Sequence, residues 1–169
     1  MIVGIDASNL GSGGSKTHLW NLVGAAHPER HGIDRVIVWG GRAILEPLAM
    51  RRWLEKIHEP ALDGLLPTRL LWQRFTLPAR ARNACDVLFA PGGNAPGHFH
   101  PLVAMSRNML PFEPRESARY GLSWLRIKFW LLRRGQGSTF RHADGLVFLT
   151  HYARQVVEKE IRQIGRAHV

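Results

Sequence analysis

A doubly wound, parallel α/β sheet is the fold class this sequence predicts, on three observations. Short apolar runs rich in β-branched residues recur along the chain, each run stops at a polar or glycine-rich turn, and segments with apolar residues at helical spacing lie between the runs. Strands apolar along their whole length are buried on both faces, which requires helices on either side of the sheet. The expected architecture is Rossmann-like, and in such sheets ligands bind at the carboxyl ends of the strands. The 169 residues are one globular domain's worth, and a 45% hydrophobic composition with 6 Trp supplies a core.

Taken in order, Ile2 to Ala7 reads as the first strand, ending in the polar, glycine-rich turn Ser8 to Ser15. Lys16 to Ala26 follows as a helix with Leu19, Trp20, Leu22 and Val23 at helical spacing. Val36-Ile37-Val38-Trp39 is the second strand, closed by Gly40-Gly41. Ala43 to Lys56 has helical character through Leu45, Leu48, Trp53 and Leu54, and Ile57 to Pro67 leaves room for a short strand before a loop. In Thr68 to Asn83, Pro78 is expected to break or kink the helix. Asp86 to Ala90 is a strand closed by Pro91-Gly92-Gly93, and Leu102 to Met105 is another that runs into Ser106-Arg107-Asn108. Ser123 to His142 reads as a basic amphipathic helix, Gly145 to Leu149 as the last strand, and Thr150 as the N-cap of a final helix starting near His151. The informative loops are therefore those after Ala7, Ala90, Met105 and Leu149.

Composition narrows the function. Lys+Arg 23 against Asp+Glu 13 gives a net charge of +10, which implies an anionic partner: nucleic acid, an acidic membrane surface or phosphorylated small molecules. Collagen-like, mucin-like and low-complexity classes are excluded. The single Cys85 can form neither an internal bridge nor a Cys-based zinc site, as expected of a protein in the reducing cytoplasm. No apolar run approaches the roughly 18 to 20 residues of a membrane span, and the opening residues lack the basic and apolar regions of a signal peptide.

The turn after the first strand has the makings of a phosphate site. Gly13 and Gly14 let backbone N–H groups approach an anion without a Cβ in the way, the helix dipole adds partial positive charge, and Lys16 adds a full one. The plain alternative is a turn that needs positive φ. A Walker A loop does not fit, because Ser15 and Leu10 stand where its glycines belong. The dinucleotide pattern finds Gly11 and Gly13 but has Lys16 at its third place.

Gly4-Ile5-Asp6-Ala7 with Gly13-Gly14, the strand Asp86 to Ala90 leading to Pro91-Gly92-Gly93, the turn Asn108 to Phe112, and Ala143 to Thr150 followed by Tyr152-Ala153 together resemble the N-terminal half of a GT-B glycosyltransferase of the large retaining family 4. The resemblance runs from Met1 to about Arg162 and rests on the order and spacing of these segments. It implies two Rossmann-like domains facing each other across a cleft, the N-terminal one binding a polysaccharide, lipid-linked or small-molecule acceptor and the C-terminal one the nucleotide-sugar donor. It implies that Gly13 and Gly14, with Lys16 beside them, lie against the donor's diphosphate, and that no metal or other cofactor is needed. On the acceptor side it points to Gly92, Gly93, Asn94, Arg107 and Asn108. Many members carry a histidine after the fourth strand; Ser106-Arg107-Asn108 stands here instead, so no catalytic residue is assigned. Nothing after Arg162 resembles the donor-binding half, and residues 163–169 resemble the translation of a common sequencing adapter, so the domain is expected to end at 162 and to be inactive alone. The rival from another class is a non-catalytic Rossmann-like module that binds phosphate or nucleotides.

Other groupings have plainer explanations. The helix from Trp124 to Arg141 interleaves apolar and basic residues; it either packs its apolar stripe on the sheet or docks at the inner face of an anionic membrane, as suits lipid-linked acceptors. The first is favoured, because a doubly wound sheet needs such cover. His98 and His100 lack further ligands for a metal, and no nucleophile elbow is present. The arginines are dispersed, without RNA-binding aromatics or a zinc knuckle, so nucleic acid is not the expected partner.

Overall fold

The computed structural model describes residues 1–10, 13–95, 97, 99–113 and 124–166. Gly11 and Ser12 of the first turn, His98, Ser123 at the head of the long basic helix, and residues 167–169 lie outside the described residues.

Strands β1 (Ile2–Asp6), β2 (Arg35–Gly40), β3 (Leu54–His58), β4 (Val87–Ala90), β5 (Leu102–Ser106) and β6 (Gly145–Phe148) form one sheet in the order β3-β2-β1-β4-β5-β6. Every neighbouring pair is parallel. Around it lie the helices α1 (Gly14–Ala25), α2 (Arg42–Leu45), α3 (Leu66–Leu71), α4 (Leu77–Arg82), α5 (Trp124–His142) and α6 (His151–Arg166). This is the doubly wound, Rossmann-like arrangement the apolar strands predict.

Alternation along the strands builds two layers. Val36 and Val38 face one side and pack with Ile5, with Leu19 and Val23 of α1, and with Ile44, Leu45 and Leu48. Ile37 and Trp39 face the other, with Leu88, Ala90, Trp72, Leu77 and Ala81. Side chains of this size each contribute about 1.5–3 kcal/mol when fully buried. A third cluster, Ala104, Phe112, Phe140 and Val157, joins the end of the sheet to α5 and α6, with the Phe112 and Phe140 rings 5.8 Å apart. Gly4 leaves room for this packing: a Cβ there would lie 2.6 Å from the Trp39 ring and 2.7 Å from Cys85 Sγ.

Two segments differ from the sequence reading. The helix expected over Ala43 to Lys56 ends at Leu45, where Pro47 denies the ladder a donor, and Leu54–His58 pairs with Val36–Gly40 as the edge strand β3. An edge strand tolerates polar residues, and here they are occupied: Arg35 pairs with Glu55 at 3.1 Å, and Lys56 Nζ donates to Leu45 O and Leu48 O at 3.2 and 2.9 Å. The helix of Thr68 to Asn83 is not broken at Pro78. Instead α3 passes into α4 through a π-turn, Trp72–Thr76, whose wider spacing accommodates the proline ring.

Thr150 caps α6 as expected, its Oγ1 accepting from Ala153 N at 3.1 Å. The helix continues through Arg166, past the expected domain boundary. Among the residues of α5 whose burial is described, Gln136, Thr139 and Phe140 are buried, while Trp130 and Leu131 are 54% and 53% exposed and Arg134 lies 5.2 Å from the Trp130 ring centroid. Among the described residues no helix is long and apolar enough to cross a membrane.

Cys85 is half-buried and donates to Ala81 O at 3.4 Å, and burial pushes its thiol up to about 11. Since the thiolate is the reactive form, Cys85 in the native chain is expected to react with a thiol-specific reagent at pH 8 at least about tenfold more slowly than in the urea-unfolded chain. Equal rates in a colorimetric thiol assay would contradict this.

Candidate functional site

The chain leaves β1 toward α1 and β2 on one side of the sheet, and leaves β4 toward β5 on the other. The carboxyl ends of β1 and β4 are thus the topological switch point, where diverging loops open a crevice.

The loop after β1 ends in Gly13, with φ 61° and ψ −141°, the N-cap of α1. A Cβ on Gly13 or Gly14 would meet nothing within 4 Å, so Gly13 serves a positive-φ conformation outside the αL well and both glycines face open space. Among the described residues no side chain caps the helix, and its first turn holds no acidic residue to neutralise the positive end of the helix dipole. Lys16 lies half-buried in that turn, its amide bonded to Gly13 O at 3.1 Å.

The loop after β4 is wedged between the loop after β1 and strand β5. A Cβ on Gly92 would lie 3.4 Å from Asn9 Cβ, and one on Gly93, whose φ is +69°, would lie 2.7 Å from Met105 O. These contacts bring the loop after β4 against the loop after β1 on one side and against strand β5 on the other. Asn94 follows, packed against Gly135 of α5, where an added Cβ would come 2.9 Å from Asn94 Oδ1. Ala95 N donates to Thr139 Oγ1 at 2.9 Å.

After β5, Asn108 is occupied locally: its Oδ1 accepts from Leu110 N at 3.1 Å, opening the turn Leu110–Phe112 that buries Phe112. Arg107 is half-buried, its Nε has no hydrogen-bond partner, and burial lowers its guanidinium below the ordinary value. It stays protonated all the same, since arginine does not lose its charge in proteins. Arg107 and Lys16 are not neighbours in the sheet, because β4 stands between β5 and β1 and adjacent strands are about 4.8 Å apart.

Beneath these loops lies a buried polar group that the sequence reading did not single out. Asp6, 3% exposed at the end of β1, accepts from Ser8 N at 3.0 Å and from Gln73 Nε2. Gln73 in turn donates to Asn94 O at 2.6 Å and accepts from Asn9 Nδ2 at 2.7 Å. Burial pushes the Asp6 carboxyl up, and the bonds from Ser8 and Gln73 act against that. Both of its oxygens are engaged, so this carboxyl supports the loops and is not presented to a ligand. Its signal in the sequence was a lone acid in an otherwise apolar strand.

A cleft of about 230 Å³ opens between the π-turn and α5, lined by Arg74, Asn94, Phe99, His100, Ser138 and His142 among others. His100 Nδ1 lies 2.8 Å from Asp144 Oδ2, and Asp144 is held below its ordinary range by the Leu102 amide first and by His100 second. Among the described residues no three His, Cys, Asp or Glu side chains gather as metal ligands would.

No protein-family model, curated protein or solved structure matches this chain. The reading of the site therefore rests on its own geometry. That geometry offers an uncapped helix N-terminus with a lysine, a second glycine turn beside it, and a half-buried guanidinium two strands away. Such a set can hold anionic and hydroxyl-bearing groups by preorganised donors.

Proposed function

We propose that this chain is the acceptor-side domain of a retaining GT-B glycosyltransferase, moving a sugar from a nucleotide-sugar donor to a polysaccharide, lipid-linked or small-molecule acceptor together with a donor-holding domain. The observation that carries the reading is the uncapped start of α1 at Gly13 and Gly14, opening into free space at the switch point beside the Gly92-Gly93 turn. Chemistry there is electrostatic. The helix N-terminus and Lys16 stabilise the departing diphosphate, while Gly92, Gly93, Asn94, Arg107 and Asn108 line the side where an acceptor hydroxyl is held in place. The net charge of +10 suits a diphosphate and an anionic membrane surface at which a lipid-linked acceptor would be met.

Titration of the isotope-labelled chain with inorganic pyrophosphate, followed by amide chemical shifts, tests the diphosphate side. Gly13, Gly14 and Lys16 are expected to move and the residues of β3 are not. Lys16→Ala is expected to weaken binding by about fivefold, the worth of one charged contact to phosphate. Shifts confined to other parts of the chain, or unchanged affinity in Lys16→Ala, would remove the reading.

A further inference from the structure

The two glycine turns at the switch point hang from one buried side chain. Gln73 is fully buried on the π-turn Trp72–Thr76. A primary amide has two N–H donors and an oxygen that accepts. One N–H goes to Asp6 at the end of β1, the other goes to Asn94 O on the loop after β4 at 2.6 Å, and the oxygen takes Asn9 Nδ2 at 2.7 Å. Leucine or methionine at this position would leave all three partners unpaired, and glutamate would present an oxygen to the Asn94 carbonyl. The π-turn is also a rare local geometry, of a kind frequent at functional sites.

We infer that Gln73 is a positioning residue that fixes the loop after β1 and the loop after β4 against each other, so that the diphosphate side and the acceptor side of the crevice take up one spacing together. What the loops bind rests on the function proposed above; the coupling itself stands on the three bonds of one amide.

Amide hydrogen exchange on the ligand-free chain tests the coupling. Ser8 and Leu10 report on one loop, through bonds to Asp6 Oδ1 and Ala7 O; Gly93 and Ala95 report on the other, through bonds to Ala90 O and Thr139 Oγ1. Gln73→Leu is expected to speed exchange in both sets together by about tenfold or more, and at Val36 and Leu54 in the far half of the sheet by no more than the loss of global stability. The paired exchange Asp6→Asn with Gln73→Glu separates the two arms. The new amide at position 6 donates to the new carboxylate at position 73 and still accepts from Ser8 N, while Asn94 O is left without its donor. It is expected to restore protection at Ser8 and Leu10 but not at Gly93 and Ala95, a split that general destabilisation does not produce. Should Gln73→Leu fail to fold, the paired variant decides alone.

Pyrophosphate supplies the ligand readout. In the unsubstituted chain its addition is expected to shift Gly92 to Asn94 along with Gly13 and Gly14, and in Gln73→Leu only the latter pair. Faster exchange in one loop only, or protection restored in both loops alike by the paired exchange, overturns the inference. If exchange behaves as expected and pyrophosphate does not bind, the functional reading falls and the positioning role stands; if pyrophosphate binds and the loops respond independently, the positioning role falls.

Discussion

Replacing Gln73 by leucine is expected to lower the unfolding free energy at pH 7 by about 3–5 kcal/mol, since Asp6, Asn94 O and Asn9 Nδ2 each lose a hydrogen-bond partner at about 1–3 kcal/mol apiece. The loss should depend on pH in a definite sense. Asp6 has its carboxyl pushed up by burial in the native chain, so the folded state binds its proton more tightly than the unfolded chain, where the value is about 3.9. The stability this lends is fully present below the unfolded value and is lost as pH rises through the folded one. Gln73 donates to that carboxylate and pulls the folded value back down. Without it the folded value climbs and the pH window of loss extends upward. Urea unfolding from pH 4 to pH 8 should therefore give curves for the two proteins that approach each other at the acid end and spread toward neutrality. Parallel curves would mean that Asp6 does not depend on Gln73.

Gly93→Val is the second large effect, at about 3 kcal/mol. Roughly 1–2 kcal/mol comes from holding a side chain in the left-handed region, and about 1–3 kcal/mol from overlap with a neighbour that cannot retreat. That neighbour is the backbone oxygen of Met105, 2.7 Å from the position of an added Cβ. Gly13→Val is the matched comparison, since Gly13 has a similar φ of 61° and nothing within 4 Å. It should cost only the conformational part, about 1–3 kcal/mol for a φ/ψ pair outside the αL well. Equal midpoint shifts for the two variants in urea unfolding would show that the β4 turn is not pressed against β5.

Much of the fold is legible in the sequence because fully buried parallel strands are apolar throughout. The segments that become β1, β2, β4 and β5 are each nearly unbroken runs, edge strand β6 is legible because its run stays apolar although it is only half-buried, and Thr150 announces its helix by a side chain that can accept. Edge strand β3 is not legible: its sequence, Leu-Glu-Lys-Ile-His, has one partner strand and a half-exposed setting, and its apolar residues also fit a helical period. Pro78 signals a disturbed helix but not its form, since a break, a kink and a π-turn all answer a missing donor. In the site, the glycine turns and Lys16 can be found by composition and position. Gln73 cannot, because nothing local distinguishes a glutamine that points outward from one drawn inward by partners far along the chain, at Asp6, Asn9 and Asn94.

The position of β1 also bears on how the chain folds. Its pairing with β2 needs only the α1 crossover, but its pairing with β4 joins distant parts of the chain; Ile2 N donates to Asp86 Oδ2 at 2.6 Å across a separation of 84 residues. Closing such a loop comes late and slowly compared with local contacts. During synthesis, β1, β2 and β3 can assemble while the inner flank of β1 still shows an unpaired row of backbone donors and acceptors on an apolar strand, the kind of edge that captures other chains. One of the two central strands of the finished sheet is therefore the most vulnerable one on the ribosome, until Ala90 has emerged and β4 closes over it.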